Sequence, residues 1–115
     1  MVNTPNSYQR QAEKTSQFLI EPMDKEFVQP ERMKYAALSL ANEVGELLDH
    51  VKKYTYHGKR FDQWEISKES GDVLWSISEL LSSCGLNLQA CMQSNLEKLR
   101  ERHGESYNAK AHYDG

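Results

Sequence analysis

Apolar positions recur at helical spacing along most of this chain. Met33, Ala37, Leu40, Val44, Leu47 and Val51 repeat at about 3.6 residues, the period of one helix face. Ile66, Val73, Ile77, Leu80 and Cys84 form a second stripe, which Leu74 and Leu81 widen beyond what one partner helix covers. Leu88, Met92, Leu96 and Leu99 form a third, and Tyr8, Ala12, Thr15 and Leu19 a shorter fourth. No segment shows the alternation of a strand. The pattern predicts four amphipathic helices and an all-α fold, a four-helix bundle.

Capping residues punctuate the same four segments. Thr4 followed by Pro5 reads as an N-cap with proline at the first helical position, opening a helix that ends near Ile20. The stretch "EPMDKEFVQ" is polar and carries a proline, so helix two begins at Pro30 and closes at Gly58. Asp62 with Glu65 three residues on starts helix three, and Phe61 can pack on Ile66 as a hydrophobic staple. Gly85 ends that helix, Asn87 caps the fourth and Gly104 stops it. Residues 1–104 thus read as one domain, and residues 105–115 as a tail without period. Trp75 falls about 160° from Val73 on the helical wheel. An apolar ring there implies a second buried surface, and oligomerisation as a homodimer or homotetramer would complete the bundle.

Composition narrows the function. The chain has 115 residues, 17 acidic against 14 basic, for a net charge of −3. That balance lacks the basic field that draws proteins to a nucleic-acid polymer, while leaving free nucleotides open as ligands. Cys84 and Cys91 stand alone, without a CxxC or zinc-type spacing, as expected of reduced thiols in the cytoplasm. The first ten residues, "MVNTPNSYQR", carry no apolar leader, and no run is long enough to span a membrane.

The candidate chemistry lies in two acidic pairs. Glu43 and Glu46 are one turn apart in "NEVGELLDHV", and Glu69 and Asp72 repeat the spacing in "KESGDVLW". Each pair shares one helix face at the edge of an apolar stripe. If those stripes pack together, the four carboxylates converge, and two like charges about 5 Å apart repel by roughly 3 kcal/mol at an effective dielectric of 20. A hard divalent cation with oxygen ligands, Mg²⁺ or Mn²⁺, would relieve this. The competing reading is a solvated acidic face. A di-iron bundle would need Glu-x-x-His motifs, and none of the four histidines follows a glutamate at that spacing.

Taken together, "NEVGELLDHVKK", "KESGDVLWSISELL" and "NLEKLRERHG" resemble the all-α nucleoside triphosphate pyrophosphohydrolases of the MazG type. The resemblance covers most of residues 36–104. It implies that Glu43, Glu46, Glu69 and Asp72 bind Mg²⁺, that Glu46 and Glu69 are catalytic, and that Lys98 and Arg102, with Asn95, contact substrate phosphates. Asn95, Lys98 and Arg102 do share a helical face, which would otherwise be an ordinary surface stripe. In one departure, Asn42 stands where many members carry the first Glu of a doublet, a Glu that members resembling the deoxycytidine triphosphate pyrophosphatases also lack. The metal count and the group that activates water stay open.

The implied reaction cleaves a (d)NTP to the monophosphate and pyrophosphate, a nucleotide-pool house-cleaning activity. Two alternatives remain: a phosphoribosyl-ATP pyrophosphohydrolase, and a non-enzymatic helical protein with a partner-binding acidic face. No base-binding residue is assigned. Tyr54, Tyr56, Trp64, Phe18 and Phe27 could stack on a base or serve as core.

Overall fold

The computed structural model describes residues 4–18 and 28–104. Four helices follow in order: α1 (Pro5–Glu13), α2 (Pro30–His57), α3 (Gln63–Ser83) and α4 (Leu88–His103). The described residues contain no strand, so the all-α class expected from periodicity is the one observed. Local chemistry sets the boundaries. The Thr4, Asp62 and Asn87 side chains accept from the amides of Ser7, Glu65 and Ala90 at 3.0, 3.0 and 2.9 Å. Gly58 and Gly104 close α2 and α4 with φ of 65° and 62°, where a side chain would be strained.

α1 stops at Glu13, short of the end near Ile20 that its apolar spacing suggests. Thr15 and Ser16 explain the difference. The Thr15 hydroxyl donates to the Ala12 carbonyl at 2.7 Å, and the Thr15 and Ser16 amides turn back to Ala12 and Glu13. Hydroxyl residues that bond nearby backbone in this way compete with helix continuation. Leu19, Ile20, Phe27 and the tail 105–115 lie outside the described residues.

α2 and α3 form the longest pairing, and they run antiparallel. Their register is read from polar contacts. Arg32 meets Glu79 through two hydrogen bonds of 2.7 and 3.0 Å, and Ser39 meets Ser76 at 2.9 Å. His50 faces Glu65 at 3.5 Å near the far end. Ala36 and Ser76 are completely buried along this line, as is Ser83 beyond its Glu79 end. The line of closest packing is thus small and polar. The two apolar stripes are only partly covered: Met33, Leu40 and Leu47 are half-buried, as are Val73, Ile77 and Leu80, while Val44 and Val51 are exposed. On α2 the Val44, Leu48 and Val51 face lies about 100° around from the Ala36 and Glu43 face. The α3 stripe is displaced by a similar angle in the sense that, for antiparallel helices, brings both stripes to the same side of the hairpin.

α1 packs against α3 and the start of α4. Gln9 is the joint: its amide donates to Ser82 and to the Leu86 carbonyl, and its oxygen accepts from the Leu88 amide at 2.7 Å. Trp75, expected to face away from the chain's own core, is half-buried and donates from Nε1 to Thr15 at 2.8 Å. The turn after α1 covers the side of α3 that the wheel left open. Among the described residues α4 makes no extended contact with α2 or α3, and no helix is long and apolar enough to cross a membrane.

Candidate active site

The antiparallel register sets residue pairs along the hairpin opposite one another, and it brings the two acidic motifs to the same level. Glu43 on α2 and Glu69 and Asp72 on α3 each place a carboxylate oxygen within 4.8 Å of the others. Glu69 is buried, at 6 % exposure, while Glu43 is half-buried and Asp72 exposed. Glu43 Oε2 and Glu69 Oε2 are both shielded from solvent and have no hydrogen-bond partner. A buried oxygen left unpaired costs of the order of 1–3 kcal/mol, more if charged, so this arrangement is unfavourable by itself.

Electrostatics confirm the crowding. Loss of solvation pushes the Glu43 carboxyl above its ordinary range, and the charges of Glu46, Asp72 and Glu69 add to the rise. Glu46 belongs to the same field. It lines an open depression of about 570 Å³ with Asn42, Gly45, Asp49, Lys53 and Glu69. From the α1 side, burial followed by the Asp72 charge raises the Tyr8 phenol. The donor set is carboxylate oxygen throughout, and it fits a hard divalent cation: the unpaired oxygens supply ligands, and the mutual repulsion is what a cation would offset.

The expected phosphate contacts lie elsewhere. Asn95, Lys98 and Arg102 are exposed on α4, and α4 is not packed on the acidic helices of its own chain. The cations beside the acids are instead Lys53, Lys59 and Arg60. They line a pocket of about 380 Å³ between the end of α2 and the start of α3, whose walls include Tyr54 and Phe61 in edge contact at 5.3 Å. Lys53 is partly committed, at 3.0 Å from Asp49, whose carboxyl it holds below the usual range chiefly through a hydrogen bond. Of the aromatic candidates for base stacking, Tyr54, Tyr56 and Trp64 are exposed, and Phe18 packs edge-on against Tyr35 at 5.8 Å.

Two residues of this site escaped the sequence reading. His50 Nε2 lies 3.5 Å from Glu65 Oε2 and 3.8 Å from Glu69 Oε1. The signal was present: His50 is two turns after Glu43, and Glu65 one turn before Glu69, so both extend the acidic face.

The chain is 29 % identical over 76 residues to the gene 37 protein of Mycobacterium phage L5, which is 63 % of this chain and 67 % of that one. No solved structure matches it. The family model of the MazG nucleotide pyrophosphohydrolase domain matches residues 32–106, which contain both acidic motifs, His50 and all of α4. The chain belongs to the MazG nucleotide pyrophosphohydrolase family.

Proposed function

We propose that this protein hydrolyses nucleoside triphosphates between the α and β phosphates, releasing the monophosphate and pyrophosphate, with Mg²⁺ or Mn²⁺ held by Glu43, Glu46, Glu69 and Asp72. The observation that carries this reading is the pair of buried, unpartnered oxygens on Glu43 and Glu69. A bound divalent ion orients phosphates, activates water and offsets developing charge. In this reading Glu46, which lines the open depression, takes the proton from the attacking water. Glu69, buried between the helices, is the catalytic carboxylate that ties the two motifs together.

In this reading Asn95, Lys98 and Arg102 hold the phosphates from a second copy of the chain, since α4 does not reach the acids of its own. A homodimer or homotetramer is supported by the uncovered face of the hairpin. Leu38 and Leu48 are 68 % and 59 % exposed, and Met92 and Leu96 on α4 are 47 % exposed each. The acidic balance favours a free nucleotide over a polymer. The setting proposed is the cytoplasm, and the role is removal of unwanted nucleotides.

The test is pyrophosphate release from a panel of ribo- and deoxyribonucleoside triphosphates and phosphoribosyl-ATP, with Mg²⁺, with Mn²⁺ and with chelator. Divalent-dependent release is expected, with Glu46→Gln lowering kcat about 10²–10⁴-fold. Glu46→Gln and Arg102→Ala, each inactive alone, should regain activity when mixed and reassembled. Release from none of the nucleotides would remove the enzymatic reading, and release from phosphoribosyl-ATP alone would replace the substrate.

A further inference from the structure

The carboxylate cluster has a neighbour of different chemistry. His50, Glu65 and Glu69 also bring one ligand atom each within 4.8 Å of one another, and His50 and Glu65 are half-buried beside the buried Glu69. Glu69 is common to both groups. Its Oε1 faces His50 at 3.8 Å, while its Oε2 is buried without a hydrogen-bond partner. We infer that His50, Glu65 and Glu69 form a second divalent-cation site, with one nitrogen and two carboxylate ligands, sharing Glu69 with the all-oxygen site of Glu43, Glu69 and Asp72.

The contacts within the group are those of ligands without an ion. His50 Nε2 stands 3.5 and 3.8 Å from its two carboxylates, outside normal hydrogen-bond length, though near enough for one ion to draw all three in. Lys68 Nζ lies 3.3 Å from Glu65 Oε2, on the exposed side, with half of its side chain in solvent. Its direct contact is with Glu65, and the unpartnered oxygen of Glu69 stays without a hydrogen bond. Access is open from two directions, because His50 forms part of the wall of both the 570 Å³ depression and the 380 Å³ pocket.

The two donor sets select differently. An imidazole nitrogen admits transition-metal ions such as Mn²⁺ and Zn²⁺ more readily than Mg²⁺, whereas an all-carboxylate group suits Mg²⁺ and Mn²⁺ alike. The second ion would lie on the side of Lys59 and Arg60, where the chain's own basic pocket begins. The site rests on the metal reading of the carboxylate cluster only through the shared Glu69, so the two can fail separately.

Mn²⁺ titration of the full chain followed by electron paramagnetic resonance tests it without reference to turnover. Wild type should bind two Mn²⁺ per chain, with ¹⁴N modulation from a coordinated imidazole in the pulsed spectrum. His50→Gln should abolish the nitrogen signal and leave one ion, and Glu65→Gln should reduce the count to one. Asp72→Asn should keep the nitrogen signal while weakening the other ion, and circular dichroism should report unchanged helix content for all three. A single Mn²⁺ in wild type, lost in Asp72→Asn and indifferent to His50→Gln, would overturn the second site and leave the first standing. Two ions in His50→Gln would overturn it equally, and no Mn²⁺ bound at all would remove both.

Discussion

The α2/α3 hairpin buries glutamates at both ends and treats them in opposite ways. Glu79, 2 % exposed, receives a two-pronged guanidinium from Arg32, itself 1 % exposed, and a hydroxyl donor from Ser16. Glu69, 6 % exposed and closer to the loop that joins α2 to α3, receives only a distant imidazole and keeps an oxygen with no partner. One end is a closed ion pair whose charges and hydrogen bonds balance within the chain. At the other, acids outnumber their partners. The same fold can satisfy a buried carboxylate, so the unsatisfied end marks a place completed by something outside the chain.

Breaking the closed end should produce the largest effect. Arg32→Ala leaves Glu79 buried without its cation, which typically costs about 3–5 kcal/mol when one member of a buried pair is removed. Urea denaturation should show that loss with or without Mg²⁺. A loss below about 1 kcal/mol would mean that water reaches Glu79 and that the two ends are less different than their burial suggests.

Much of this contrast was hidden from the sequence. The caps at Thr4, Asp62 and Asn87 were legible because they involve residues three apart along the chain. The acidic pairs were legible for the same reason, as was the family through its spaced motifs. The packing line was not. Arg32, Ser39 and Glu79 look like surface residues by type, and only the partners supplied across the hairpin make their burial tolerable. Periodicity located the apolar stripes correctly as features of the helices, yet it could not tell a face that meets the next helix from a face left uncovered. His50 and Glu65 were missed because their relation depends on the register, in which each α2 residue is matched to an α3 residue far away in sequence. Thr15 and Ser16 ended α1 early through side-chain bonds that an apolar period does not register.

At the open end the expected effect is smaller and opposite in sign. Glu69→Gln removes a buried charge from the cluster, so the metal-free protein should become more stable, by about 1–3 kcal/mol, while losing activity. Glu43 adds a pH signature. Its carboxyl is raised in the folded state, first by loss of solvation and then by neighbouring acids. The folded protein therefore binds that proton more tightly than the unfolded chain does. This contribution is intact below the ordinary carboxyl range and is lost as pH rises through the raised value. Metal-free stability should fall over that interval, and Glu43→Gln should flatten the fall. Saturating Mg²⁺ should restore stability above it, because the ion binds the folded, deprotonated cluster. A metal-free profile that is flat in wild type would mean that the acids are solvated and need no counterion.

The smallest effect belongs to Gly45, beside Glu46 on the open face. Glycine in a helix interior is roughly 0.5–1 kcal/mol less favourable than alanine, and here nothing in the chain requires it: a Cβ added at Gly45 meets no atom within 4 Å. At the closed end, by contrast, Ala36 is completely buried and its size is fixed by packing within the chain. A glycine with free space around it makes sense if the space is used by a second chain or by substrate approaching the backbone of α2. Gly45→Ala should therefore raise the melting temperature of the dilute, metal-free protein slightly, in keeping with that propensity gain. It should also weaken self-association or raise KM, with helix content unchanged. Sedimentation and kinetics on this one variant separate the two visitors, because a shifted dimer equilibrium implicates the partner chain and an altered KM at constant assembly implicates the nucleotide. If stability rises while assembly and KM both stay at wild-type values, nothing approaches that face, and the open end ends at its ring of acids.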